Sequence, residues 1–430
     1  MLIAQRASQR VRGIFFGWWI ILAGIGLLVL TNGLLGQAYG AYVVVLKEEF
    51  GWTATAFSIA YAIQSAESGM LGPFQGWLLD RFGPRAVVRA GVIILGVGLV
   101  VFSQIDSLVG FYLVFLFMAV GSSLGGFMSV TTTMINWFER RRGTAQGLIQ
   151  IGPAVGGLLV PLVAWSLAGQ GWRPTAVVSG ILIILLGLPL AQLLRRRPED
   201  YGMLPDGGPL PEPVPGRSIG RRQMWTSISF TARQALRTRG FWFISFGHML
   251  GVAIVTAVAV HLIPFLTEDL NLSLATAASL VSLMTTCLLI GGIGGGMLGD
   301  RFDKRYLAVI GCAGSLTAML LLAFATSLAM AAAGAALQGL SHGMRGTQMM
   351  PLRADYFGRQ AFAKIAGISS FVMMWGIMAG PIMVGWVTDA TGDYRLGFQV
   401  LSGAALVAAV CFTLARRPEP PRAIDQFADS

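Results

Sequence analysis

The sequence predicts an all-α membrane protein with twelve transmembrane helices in two pseudo-symmetric six-helix bundles. Three observations predict it. Only 12% of the 430 residues are charged and 55% are hydrophobic. A soluble domain carries roughly 25% charged residues, so this chain has too little charge to clothe a water-facing surface. Apolar runs of the ~20 residues needed to cross a bilayer recur along the whole chain. Motifs of the first half also return in the second at a near-constant spacing of 220 residues.

The helices fall at roughly 14–46, 52–80, 85–104, 108–138, 143–169 and 173–195, then at 240–267, 273–300, 305–326, 328–356, 361–389 and 395–415. The first apolar stretch follows Arg6, Arg10 and Arg12. It is far longer than a signal-peptide core of about 7–15 residues and reads as a retained helix. Residues 1–195 then form an N-terminal bundle. Residues 196–239 form a cytoplasmic linker, and residues 240–430 form a C-terminal bundle with a short tail.

Charge sets the orientation. With an even number of spans, every Lys and Arg lies on the side of the termini except Lys47, Arg173, Arg395 and the intrahelical Arg345. Positive residues stay in the cytoplasm, so a multi-pass protein of the cell inner (plasma) membrane with both termini cytoplasmic is expected. The net charge of +11 therefore marks topology and no nucleic-acid partner. Cys287, Cys312 and Cys411 all fall in apolar runs, which excludes a disulfide framework or zinc pattern.

The linker opens with Arg195–Arg197. Its stretch Pro205–Gly216 is rich in Pro and Gly, a composition that resists packing. Met224–Thr238 places Ile228, Ala232, Ala235 and Leu236 near one face, with Arg233, Arg237 and Arg239 offering charge. That pattern predicts an amphipathic helix on the cytoplasmic membrane surface, with a solvated linker helix as the alternative.

The repeat has three parts. GWLLDRFGPR (Gly76–Arg85) returns as GMLGDRFDKR (Gly296–Arg305). Trp137–Phe138 followed by Ala145–Leu148 returns as Tyr356–Phe357 followed by Ile365–Ile368. Gly171–Arg173 has a looser echo in Gly392–Arg395. Two halves related by an axis along the membrane normal place a substrate site between them, near the midplane.

These residues resemble the major facilitator superfamily. Its signature G-x-L-x-D-R-x-G-x-R reads here as Gly76, Leu78, Asp80, Arg81, Gly83 and Arg85, and the second copy has Asp303 in place of Gly83. Within that superfamily the chain is similar to the monocarboxylate porter-like group, through Trp137, Phe138, Arg140, Arg141, Arg142, Ala145, Gly147 and Gly152. The resemblance implies a secondary transporter working by rocker-switch alternating access. It implies that helices 1, 4, 7 and 10 line the cavity, and that Gly76, Asp80, Arg81, Gly83 and Arg85, with Asp300 and Arg301 in the second copy, gate it. Family members often hold a carboxylate with a basic residue in helix 8. Here that helix carries no charge, and the basic residue stands in helix 10 as Arg345.

A charge at membrane depth costs at least ~2.5–3.5 kcal/mol, so Arg345 should face a cavity or a partner. Gln338, His342, Arg345 and Met349 recur on one helix face. A guanidinium offers a planar fork that matches a carboxylate. The substrate expected is a small organic anion, a carboxylate, held by Arg345 with His342 and Gln338 assisting. The alternative is a structural Arg bonded to helix carbonyls. Glu67, the acid placed inside a helix, is the proton-coupling candidate, with a plain polar contact as its alternative. Asn32, Tyr39, Gln146, Gln150 and Trp375 are further candidates for the substrate-binding surface.

Two other functions compete: a proton-coupled drug or metabolite exporter, and a membrane sensor retaining the transporter fold. An enzyme is not expected, because no nucleophile–base pair or metal cluster is visible, and no cofactor is expected. A monomer is expected. The run Gly291–Gly299 follows no strand, so it reads as close helix packing and not as a phosphate loop.

Overall fold

The computed structural model describes residues 15–52, 54–207 and 230–419. Among these residues the chain makes twelve long helical spans. They are α1 (Gly17–Phe50), α2 (Ala54–Phe82), α3 (Pro84–Phe102), α4 (Leu108–Trp137), α5 (Arg142–Gln170), α6 (Trp172–Leu193), α7 (Arg239–Asp269), α8 (Leu274–Gly299), α9 (Lys304–Ala323), α10 (Leu328–Phe357), α11 (Phe362–Thr391) and α12 (Tyr394–Leu414). Ten are long and apolar enough to cross a bilayer. The other two are α2 and α10, the helices that carry Glu67 and the Gln338–Arg345 stripe. Helices α3, α6, α9 and α12 expose aliphatic side chains such as Val97, Leu185, Ile310 and Leu406. Such faces suit contact with lipid tails.

The chain divides into two compact units. Unit 1 is Met1–Ser68, Trp77–Arg141 and Ile151–Ser227; unit 2 is Gly69–Gly76, Arg142–Gln150 and Ile228–Ser430. The division falls inside the linker, but a stretch of about two turns each of α2 and α5 groups with unit 2.

In unit 1, α1 is not a uniform helix. A π-helical turn, Asn32–Gly36, interrupts it before it resumes at Tyr39–Phe50. Beyond that turn an aromatic cluster joins helices: Tyr42 and Phe111 both contact Phe102, which contacts Trp172. Glu49 accepts hydrogen bonds from Trp172 Nε1 and Arg173. At the opposite end Trp137 Nε1 donates to Arg195 O at 2.8 Å. The Arg195 guanidinium lies 3.9 Å from the Phe16 ring centroid and 4.2 Å from that of Tyr201.

The start of the linker departs from its sequence reading. Pro198–Tyr201 and Pro205–Gly207 form short 3₁₀ turns. Asp206, in the left-handed region at φ 61°, accepts from the backbone N–H of Glu139 at 3.0 Å and Arg140 at 2.8 Å. Asp tolerates that backbone better than most residues, and its carboxylate satisfies two turn donors at once. A local Pro/Gly count does not register such a distant partner. The rest of Pro205–Gly216 lies outside the described residues.

In unit 2 the Gly291–Gly299 run packs closely. Side chains at Gly291 and Gly295 would collide with the α10 backbone at Leu340 and Met344, and one at Gly296 would collide with the α5 backbone at Gly143. Small residues on two faces of α8 therefore admit two neighbours at backbone contact. Of the expected amphipathic helix Met224–Thr238, the described part is a single turn, Ala232–Leu236, closed by a Thr231/Gln234 capping box. It is docked onto the protein: Ala235 is fully buried and Phe230 N donates to Phe357 O at 3.0 Å. Residues 224–229 lie outside the described residues.

The repeat has a structural basis. Trp137 ties the end of α4 to the carbonyl that ends α6, and its repeat mate Tyr356 donates to Ala415 O at 2.6 Å at the end of α12. The Gly83/Asp303 difference is also local. Gly83 sits at φ 80°, where a side chain is strained. Asp303 sits at φ −62° and accepts from Arg305 N at 2.8 Å to cap α9.

Candidate functional site

The stripe on α10 is built by helical spacing, and the structure carries it inward. Gln338 and Arg345 are each 2% exposed, and His342 is half-buried. Arg345 leaves α10 against Gly311 of α9, and its guanidinium lies over Gly251 of α7. Nη2 donates to Gly251 O at 2.9 Å. Nη1 is buried without a hydrogen-bond partner among the described residues, as is Oε1 of Gln338. Gly251 is what makes this arrangement possible, since a Cβ there would fall on the guanidinium itself. The contact to a helix carbonyl is the one foreseen for a structural arginine. The orphaned Nη1, with no buried acid in unit 2 among the described residues, is what a purely structural role leaves unexplained.

Sequence reasoning missed a second buried guanidinium. Arg353 reads from the sequence as the basic end of α10, yet it too is only 2% exposed. It donates to Ser369 Oγ at 2.6 Å and to His248 Nδ1 at 3.0 Å. Its position eight residues after Arg345 continues the same stripe, and that periodicity is the signal that could have found it.

Glu67 belongs to unit 1. It is 7% exposed, its Oε2 accepts from Ser123 Oγ of α4 at 3.0 Å, and its Oε1 has no partner among the described residues. A carboxyl with one bonded and one unbonded oxygen can hold a proton without rearranging its neighbours. Asn32 opens the π turn of α1 and donates to Leu28 O at 3.0 Å. Tyr39 donates its hydroxyl to Phe57 O at 2.8 Å. Gln146 is buried with Oε1 unpaired, Gln150 is half-buried, and Trp375 is 55% exposed. Gln338, His342, Arg345, Gln146, Gln150 and Trp375 thus share unit 2, whereas Asn32, Tyr39 and Glu67 lie in unit 1.

The gating candidates also divide. Asp300 accepts from the backbone N–H of Gly143 at 2.7 Å and Thr144 at 2.9 Å, at the start of α5. That carboxylate satisfies orphan donors and meets the positive end of the helix dipole. Beside it Asp355 pairs with Arg142 at 2.8 Å and Lys304 at 2.7 Å. A side chain at Gly76 would collide with the Ala363 backbone. In unit 1, Asp80 O accepts from Arg196, Arg81 lies 5.7 Å from the Trp77 ring, and Arg85 is half-buried. Arg301 is exposed.

Residues 15–261 and 241–429 each match the family described as Major Facilitator Superfamily. The chain is 25% identical to a probable sulfoacetate transporter, SauU, of Cupriavidus necator, over 84% of this chain and 85% of that protein. It is also 25% identical to monocarboxylate transporter 13 of Bos taurus, over 94% of this chain and 90% of that protein. Among solved structures it is similar to the Escherichia coli fucose:proton symporter FucP, with a TM-score of 0.69 at 15% identity, over 94% of this chain and 98% of that one.

Proposed function

Because this chain belongs to the Major Facilitator Superfamily, we propose that it is a secondary transporter moving a small organic anion, a carboxylate, across the inner membrane. The observation that carries this reading is Arg345. Its guanidinium is buried in unit 2 with one terminal nitrogen unpaired and no buried acid in that unit among the described residues. Burying an ion without a counter-charge costs several kcal/mol, and a visiting carboxylate would offset that cost. The substrate replaces the Gly251 carbonyl as the partner of Arg345, with His342 and Gln338 assisting. The carboxylic and sulfonic acids named for the relatives above support the same substrate class.

In this reading Glu67 takes up and releases a proton while the two halves alternate by a rocker-switch motion. Gly76, Asp80, Arg81, Gly83 and Arg85, with Asp300 and Arg301, form the gate on the cytoplasmic side, where both termini also lie. The other members of the binding surface are Asn32, Tyr39, Gln146, Gln150 and Trp375.

Counterflow of labelled mono- and dicarboxylates beside lipophilic cations, in proteoliposomes, tests this function. Exchange of an anion is the expected result. Exchange of lipophilic cations with no anion exchange would instead mark an exporter and sink the proposal. Coupling is tested separately: Glu67→Gln should lose pH-driven accumulation yet keep exchange, and intact accumulation would remove the proton role from Glu67.

A further inference from the structure

Arg353 is left without a task by the reading above, and its surroundings give it one. None of its partners among the described residues carries negative charge: they are Ser369 Oγ, His248 Nδ1, Met349 O at 3.1 Å and Met350 Sδ at 3.9 Å. Arginine only donates, so His248 Nδ1 accepts, and the ring is neutral with its proton on Nε2. Ser369 in turn meets Ser245 at 2.9 Å. The Nε of Arg353 is buried without a partner among the described residues.

The two arginines also reach the same helix. They start eight residues apart on α10, about 12 Å of helix. They reach α7 at Gly251 and His248, only about 4.5 Å apart along its axis. Two buried guanidiniums thus bond residues within one turn of α7. Among the described residues the one buried acid is Glu67 of unit 1, and Asp355, two residues from Arg353, is engaged by Arg142 and Lys304. One carboxylate would answer one of these cations and leave the other uncompensated.

We propose that the substrate is a dianion, with one acidic group on Arg345 and the other on Arg353, as in a short dicarboxylate. The proposal rests on the anion-binding role given to Arg345 under the function proposed above. It accounts for a pair of buried cations that a monocarboxylate does not.

The test compares succinate with butyrate, which has the same number of carbons and one charge fewer, at neutral pH. In proteoliposomes succinate should exchange about tenfold faster or more, as expected of a site whose polar groups go unpaired with the smaller ligand. Succinate should also raise the melting temperature of the purified wild-type protein, and butyrate at the same concentration should not. Arg353→Gln should erase the preference for succinate. Should that variant fail to reach the membrane, the wild-type melting comparison decides. Butyrate equal or superior to succinate in both assays would overturn the dianion while sparing the anion site. Neither compound exchanging nor stabilising would overturn both.

Discussion

At the scale of single residues, Arg345 and Gly251 form one device. A guanidinium buried at this depth needs room as well as a partner, and Gly251 supplies both by lacking a side chain and presenting its carbonyl. Gly251→Ala should therefore abolish transport as fully as Arg345→Gln, with the protein still present in the membrane; normal uptake by Gly251→Ala would show that the guanidinium's position is not needed. The sequence revealed Arg345 because it is a charge at membrane depth that shares its helix face with Gln338 and His342. It concealed Arg353 because a basic residue near a helix end ordinarily reaches for the aqueous interface. Arg353 turns inward because Ser369 and His248, far away in the chain, receive it. Long-range partners of that kind leave no trace in local spacing.

At the scale of elements, the repeated loop motif has two different constructions. Gly83 at φ 80° permits the backbone to enter α3, whereas Asp303 in the ordinary region caps α9. Gly83→Ala should cost about 1–2 kcal/mol through left-handed strain. Asp303→Ala should cost about 1 kcal/mol through the lost cap, and Asp303→Gly only a few tenths. Melting of the purified variants measures all three, and equal losses for Gly83→Ala and Asp303→Gly would contradict the assignment. Asp300→Asn addresses the start of α5, where the carboxylate receives two backbone donors. It keeps an acceptor but removes the charge, so it should weaken the contact by about 1 kcal/mol. The motif itself was visible in the sequence. That its second aspartate would serve α5, and not its own loop, depends on packing that a repeat alone does not specify.

At the scale of the whole molecule, hydropathy marks ten of the twelve described spans, and the repeat and the charge pattern carry α2 and α10. Lipid forces each span to satisfy its own backbone, so length and apolarity translate directly into helices. The linker was harder: Asp206 and Phe230 are fastened to Glu139, Arg140 and Phe357, and those contacts are invisible to composition. Topology is a separate claim, resting on the distribution of Lys and Arg. Single cysteines near residues 8 and 425, in a background lacking the three native cysteines, should react with an impermeant maleimide only after the cells are opened. Labelling of intact cells at either position would reverse the orientation.

The proposed transport of an anion depends on a negatively charged ligand meeting Arg345. Equilibrium binding of a labelled dicarboxylate to purified protein tests this most directly, with wild type compared against an Arg345→Gln variant whose melting temperature is first shown to be close to that of wild type. Binding should fall by about a hundredfold or more in the variant, as when one member of a buried charge pair is removed. Undiminished binding by Arg345→Gln would contradict the account.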